Sequence, residues 1–387
     1  METLYKDHQV SKGFLVGEYI TQDLTKYCKN KNAEQITLQN LRRIQKNPYS
    51  NMQNLVISDQ MERLVHDLKH ISDKIGYILD LSTRFNGLDL DKIKRVEEQT
   101  QNNIKVLFGY TPSSNYLGRL LSIDNIQDQM KHDIEFEMKT GRKNMLPSFI
   151  GELIITDPND YYQKHMLDAC QNYQLIHEGC PIFLNLGSNS SQIPSLVDRF
   201  AATKGRSIVY MIQNPMNENL EVHPSIHYIL NNSESYLCLT LYNHNLASYD
   251  EGDLDQSCEK YKQSVFVLRK FISMMIDNGQ QHRLLVSNGI QHKTHLSFYG
   301  GRGYTALFDK LLKGLPQGII DQLLIQNPSS LLLWREQQLE EPQAPTPKWD
   351  CRECKGRFEE SHQKFEKMDN NYCSMKCLAA HRSKGFA

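Results

Sequence analysis

The chain has 387 residues with 44 basic and 45 acidic side chains, and 39% of it is hydrophobic, the balance of a soluble globular protein with no basic excess to argue for nucleic acid. No run of 18 apolar residues exists, so nothing reads as a membrane span. The start, METLYKDHQVSKG, has neither the apolar region of a signal peptide nor the Arg-rich look of a transit peptide. Eight short apolar runs then follow in order: Phe14–Ile20, Ile75–Ser82, Ile104–Tyr110, Phe149–Ile155, Ile182–Gly187, Ser207–Gln213, Tyr236–Tyr242 and Arg283–Gly289. Most are near-continuous in apolar and β-branched residues, which suits strands buried on both faces of a parallel sheet. Helical patterns such as Gln60–Ile71 and Tyr261–Met275 lie between them. Eight strand–helix alternations predict an α/β fold, a (β/α)8 TIM barrel over residues 1–336. An open doubly wound sheet is the alternative, weakened because no G-x-G-x-x-G opens a helix.

Residues 337–348 close a charged, then Pro-rich stretch, Arg335–Lys348, without apolar periodicity, and read as a linker. The remaining piece, residues 349–387, is too small to hold a core by burial alone. Five cysteines (Cys28, Cys170, Cys180, Cys238, Cys258) are scattered through the barrel region and read as reduced, buried thiols. The other four form Cys351-x2-Cys354 and Cys373-x3-Cys377. Two thiolates two residues apart reach one ion from a tight turn, with Gly356 at hand for an unusual backbone angle. The second pair opens a predicted helix, where a spacing of four places both sulfurs on one face. Four thiolates around one ion predict a closed, structural zinc site with no open coordination position. His362 and His381 are the alternative ligands.

Several segments carry a family likeness. LRRIQKNPYSNMQNL (Leu41–Leu55), IGEL (Ile150–Leu153), HRLLVSNGIQHKTHLSFYGGRGY (His282–Tyr304) and LLIQNPSSLLLW (Leu323–Trp334) resemble the phosphotriesterase-related proteins of the metal-dependent amidohydrolase superfamily. The tail string YCS-x2-C resembles the second half of treble-clef and MYND-like fingers, without the residues of a second zinc. The barrel resemblance implies a TIM barrel and two metal ions at its C-terminal mouth, held by a His-x-His, a strand 4 carboxylate, two further histidines and an aspartate. Aligned residue by residue, the first pair falls on Gly17 and Tyr19, flanking Glu18. The carboxylate falls on Glu152, the histidines on Asn185 and Met211, and the last pair on Asn288 and Gly289. Only Glu152 retains a ligand of the implied kind. Metal lowers the pKa of its water from about 15.7 to about 7, so losing it adds roughly 12 kcal/mol to making the nucleophile. The barrel therefore reads as a pseudoenzyme with a vestigial pocket and no catalytic residues.

Other groupings read as structural. His66 and His70 in HDLKH resemble a zincin pair, but Asp67 stands where the base would be, and a solvated helix face is the expectation. His292 and His295 read as exposed imidazoles on a rim loop. Glu18 and Glu152 form a possible acid/base pair, with a vestigial polar pocket favoured. Cys180 before Pro181 reads as a buried thiol, and the YGGRGY glycines (Tyr299–Tyr304) as setters of backbone geometry.

The expected function is a non-catalytic scaffold that docks on a protein partner within a larger assembly, through barrel surface and zinc finger. A hydrolase with a rebuilt site acting on an ester or N-acyl amide, and a small-molecule binding protein, are the competing readings. The expected location is the cytoplasm, with a cytoskeletal or ciliary assembly as the finer placement and no membrane contact.

Overall fold

A computed structural model describes residues 11–28, 33–112, 123–142, 145–177, 179–187, 190–212, 215–217, 219–242, 265–332, 348–355, 357–359, 364–367 and 370–384. The chain divides into two units, Met1–Arg335 and Glu336–Ala387.

Each predicted run matches one strand of the first unit, the first strand starting one residue before its run: β1 Gly13–Glu18, β2 Ile75–Asp80, β3 Lys105–Tyr110, β4 Phe149–Ile154, β5 Ile182–Asn185, β6 Ile208–Ile212, β7 Tyr236–Thr240 and β8 Leu284–Ser287. All pair in parallel, and each lies beside its neighbour in sequence. Helices, among them Met61–Lys69, Leu90–Gln99, Ile123–Thr140, Tyr161–Ile176 and Val265–Asp277, return the chain between strands. The result is a nearly closed TIM-like barrel.

The apolar runs divide into two layers by the period of two. Phe14, Val16, Leu79, Leu107, Phe149, Phe183, Val209 and Leu285 fill the interior. Leu15, Ile78, Ile150, Leu184, Ile208, Leu237 and Leu284 face outward onto the helices. Burial on both faces is why the runs are continuous rather than alternating. Among the described residues no helix is long and apolar enough to cross a membrane.

In the second unit, β9 Lys348–Asp350 pairs antiparallel with β10 Arg357–Glu359, and β11 Phe365–Lys367 with β12 Asn370–Tyr372, before a final helix, Met375–Ser383. The linker assignment lies outside the described residues up to 347, and Lys348 already belongs to β9.

Candidate functional site

Two of the mouth carboxylates, Glu18 and Glu152, each follow a glycine, in GEYI and GELI. Gly17 has φ +112° and Gly151 φ +126°, conformations that L side chains rarely adopt. The ladder shifts register between Val16 and Glu18 and between Ile150 and Leu153, as bulges do when they re-aim a side chain. A Cβ at Gly151 would lie 2.8 Å from the Phe183 carbonyl oxygen, so only glycine fits. Sequence reading passed over this repeated Gly-Glu pair, although it was visible.

Glu18 and Glu152 are both buried, yet their surroundings differ. Glu18 accepts from the Asn288 N–H at 2.8 Å, the Ile290 N–H at 2.9 Å and the Ser287 hydroxyl. It thereby ties the last strand's exit to β1, across the edge where no backbone ladder is formed between the two. Glu152 Oε1 accepts from the Tyr19 hydroxyl and the Asn185 amide, each at 2.8 Å, while Oε2 has no hydrogen-bond partner among the described residues. Burial raises both carboxyl groups from 4.5 to about 7, against the lowering pull of these donors. Burial and the adjacent Glu152 push the Tyr19 phenol well above its ordinary range, so it remains a donor.

The alignment positions thus occupy one end of the barrel. Tyr19, Glu152 and Asn185 are joined directly. A side chain at Gly17 would meet Met211 Cε and Cys238 Sγ at 3.3 Å each, which places positions 17 and 211 side by side. Asn288 turns aside: its amide donates to the Tyr304 carbonyl at 3.1 Å. Gly289 has φ +69° and lies against Thr240.

These residues do not fit the two ions the resemblance implies. Gly17, Gly289 and Met211 bring no hard donor. The Tyr19 hydroxyl and Asn185 amide nitrogen point their hydrogens at Glu152, and both oxygens of Glu18 already accept.

His292 corrects the expectation of an exposed rim: it is fully buried, edge-on to Tyr49 at 5.3 Å, while His295 stacks on Tyr242 at 4.3 Å. The loop after β8 is covered by the segment after β1, where the Thr294 N–H donates to Asn54 at 2.9 Å. Those are two of the four segments with the family likeness, and the sequence could not show that they touch. His66 and His70 lie on an exposed helix face, Nε2 to Nε2 3.4 Å, and Asp67 is spent on the Ser297 N–H and hydroxyl. Within YGGRGY, a Cβ at Gly303 would strike Asp67 Oδ2 at 2.3 Å, a packing reason for that glycine. Cys180 is buried, and Cys258 lies outside the described residues.

In the second unit the sulfurs of Cys351, Cys354, Cys373 and Cys377 lie within 4.8 Å of one another. Cys373 Sγ is 3.7 Å from Cys354 Sγ and 3.6 Å from Cys377 Sγ, too far for a disulfide and close to the roughly 3.8 Å that a tetrahedron with ~2.3 Å metal–sulfur bonds requires. Burial disfavours the Cys351 thiolate, but N–H groups of Cys354, Cys373 and Glu353 bring it down to about 6. The left-handed residue of the first knuckle is Lys355, φ +59°, whose N–H donates to the Cys351 carbonyl at 2.9 Å; Gly356 lies outside the described residues. Cys373 precedes the helix, which Ser374 caps by accepting from the Cys377 N–H, so the two sulfurs meet across a cap rather than along one helix face. His381 is engaged by the Tyr372 hydroxyl at 2.7 Å, and His362 lies outside the described residues.

A parallel barrel with buried carboxylates at the C-terminal ends of its strands carries its polar groups where TIM-barrel enzymes carry their sites. The chain belongs to the phosphotriesterase family, which it matches over residues 13–332, and residues 347–387 match the Vms1-associating treble clef domain. It is 24% identical over 319 residues to the N-acetyltaurine hydrolase of Homo sapiens, covering 78% of this chain and 86% of that one. The Danio rerio N-acetyltaurine hydrolase is 21% identical over 311 residues, with 78% and 85% covered. A resiniferatoxin-binding protein from Rhodobacter sphaeroides shares the fold with TM-score 0.66 and 19% identity, over 83% of this chain and 91% of that one. A phosphotriesterase homology protein from Escherichia coli, complexed with phosphate in its active site, does so with TM-score 0.60 and 15% identity, over 82% and 98%.

These relatives overturn the expectation of a pseudoenzyme and non-catalytic scaffold, because proteins related over most of the chain are named as hydrolases. Sequence could not show that Tyr19 and Asn185 converge on Glu152.

Proposed function

We propose that the barrel is a hydrolase of ester or N-acyl amide bonds, with Glu152 as its general base. One observation carries this reading: a buried carboxylate has one oxygen gripped by two donors and the other unpartnered among the described residues. A base is most effective when its pKa lies near the working pH, and Glu152 is held at about 7. In the reaction Glu152 Oε2 takes a proton from water as the water oxygen bonds to the acyl carbon. The carbon–nitrogen or carbon–oxygen bond then breaks, and the proton passes from Glu152 to the departing amine or alkoxide. General-base assistance is worth about 10²–10⁴-fold, so turnover should be modest and favour activated acyl groups.

The relatives' substrate makes N-acetyl amides the first class to test. Purified full-length protein is incubated with N-acetyl amides, aryl esters and lactones, and released amine, alcohol or acid is measured. Wild type should turn over at least one class, and Glu152→Gln should lose about 10²–10⁴-fold. Equal rates in wild type and variant would remove Glu152 from the reaction.

For the tail we propose that the ion is a single structural zinc. The four-sulfur set and its spacing support this over a hard cation.

A further inference from the structure

Elsewhere in the family the resemblance implies that metal ions orient the mouth. Here the implied ligand positions make a different object. Tyr19 from the exit of β1 and Asn185 from the end of β5 both point hydrogens at one oxygen of Glu152 on β4. Residues 133 and 33 positions apart in the chain thus converge at 2.8 Å on a single atom. A divalent ion at Glu152 Oε1 would meet these hydrogens, and Gly17, Met211 and Gly289 at other implied ligand positions bring no hard donor. Among the described residues the only group of three or more His, Cys, Asp or Glu side chains poised to share an ion is the cysteine quartet of the second unit.

We infer that the mouth works without metal, and that Tyr19 and Asn185 are positioning residues that replace it by locking Glu152 with Oε2 free. The inference rests on the reading of Glu152 as the base. Two donors on Oε1 fix the carboxylate's rotation, so that the unpartnered oxygen keeps one direction. They also stabilise the anion and offset part of the effect of burial, as the lowering contributions of Tyr19 and Asn185 show.

The test has two arms that do not need turnover. In the first, full-length protein is dialysed against zinc, cobalt or manganese and its metal content measured. One ion per chain is expected, in wild type and in Glu152→Gln alike. A second ion that disappears in Glu152→Gln would overturn the inference. In the second arm, the side-chain carboxyl carbon of Glu152 is followed by NMR through a pH titration, assigned by its loss in Glu152→Gln. Tyr19→Phe and Asn185→Leu should each move its midpoint upward, by about 1–2 pH units. An unmoved midpoint in folded variants would reduce both residues to packing. Where a substrate is found, activity should survive chelation, and the acid limb of its pH profile should shift with the same variants. Loss of activity on chelation with recovery on added metal would sink the metal-free mouth. A failure of every substrate would instead strike the hydrolase reading and leave both arms to decide this one.

Discussion

Inside the barrel, Phe14, Phe149, Phe183 and Leu285 are fully buried, and a second, larger layer of apolar side chains lies between strands and helices. Among the described residues of the second unit, Trp349, Cys351 and Tyr372 form a small buried apolar cluster, beside four sulfurs. The same chain thus relies on burial in one region and gathers four sulfurs in the other. What differs is where polar groups sit: the barrel buries Glu18 and Glu152 at its mouth, and the tail builds its centre from ionisable groups. A large core tolerates a few costly groups at one end, whereas a small unit must make its ionisable groups hold it together.

The sharpest way to break this comparison is to remove the ion. Zinc on four thiolates contributes roughly 10–16 kcal/mol of apparent free energy in finger peptides, far more than so small a core. Chelation, or Cys354→Ser, should therefore unfold residues from about Lys348 onward while the barrel melts at its usual temperature. Hydrogen exchange of the full chain, read segment by segment, checks both halves of this statement. Protection in the tail that survives exhaustive chelation would show that its core suffices.

Phe183→Ala tests the other side. Phe183 is fully buried against Phe149, with ring centroids 4.8 Å apart. Its truncation should cost the barrel about 3–5 kcal/mol and leave metal affinity of the tail unchanged. Denaturant unfolding and a zinc competition titration measure the two. A drop in zinc affinity would mean that the regions are energetically coupled.

The smallest expected effect concerns pH. Glu18 and Glu152 rise from 4.5 to about 7 on folding, so between those values the folded chain binds more protons than the unfolded one. Their contribution is fully present below about pH 4.5 and is lost as pH climbs through about 7. Each costs about 3 kcal/mol once ionised. Unfolding measured at pH 5 and pH 8 should show wild type losing more stability over that interval than Glu152→Gln, by about that amount. Equal losses would place the Glu152 carboxyl in a more hydrated setting than its burial indicates.

Much of the molecule could be read from residues close together in the chain. A run such as FLVGEYI is buried on both faces wherever it sits in a parallel sheet, so strand count and order were legible without coordinates. The cysteine quartet was legible for a similar reason, since two short loops each bring two thiolates to one point. His292 was misread because its cover comes from Tyr49 in the segment after β1, and a neighbour so far away in sequence leaves no local mark.

Sequence by itself determined the eight strands and the sulfur cluster, because each depends on residue type and short spacing. Tertiary structure alone decided that Tyr19 and Asn185 meet on Glu152, and that Glu18 is spent tying the exit of β8 to β1. The physical reason is that closing a barrel brings strand ends from distant parts of the chain within hydrogen-bonding reach. Which donor then finds which oxygen depends on two glycine-centred bulges whose direction no periodicity records.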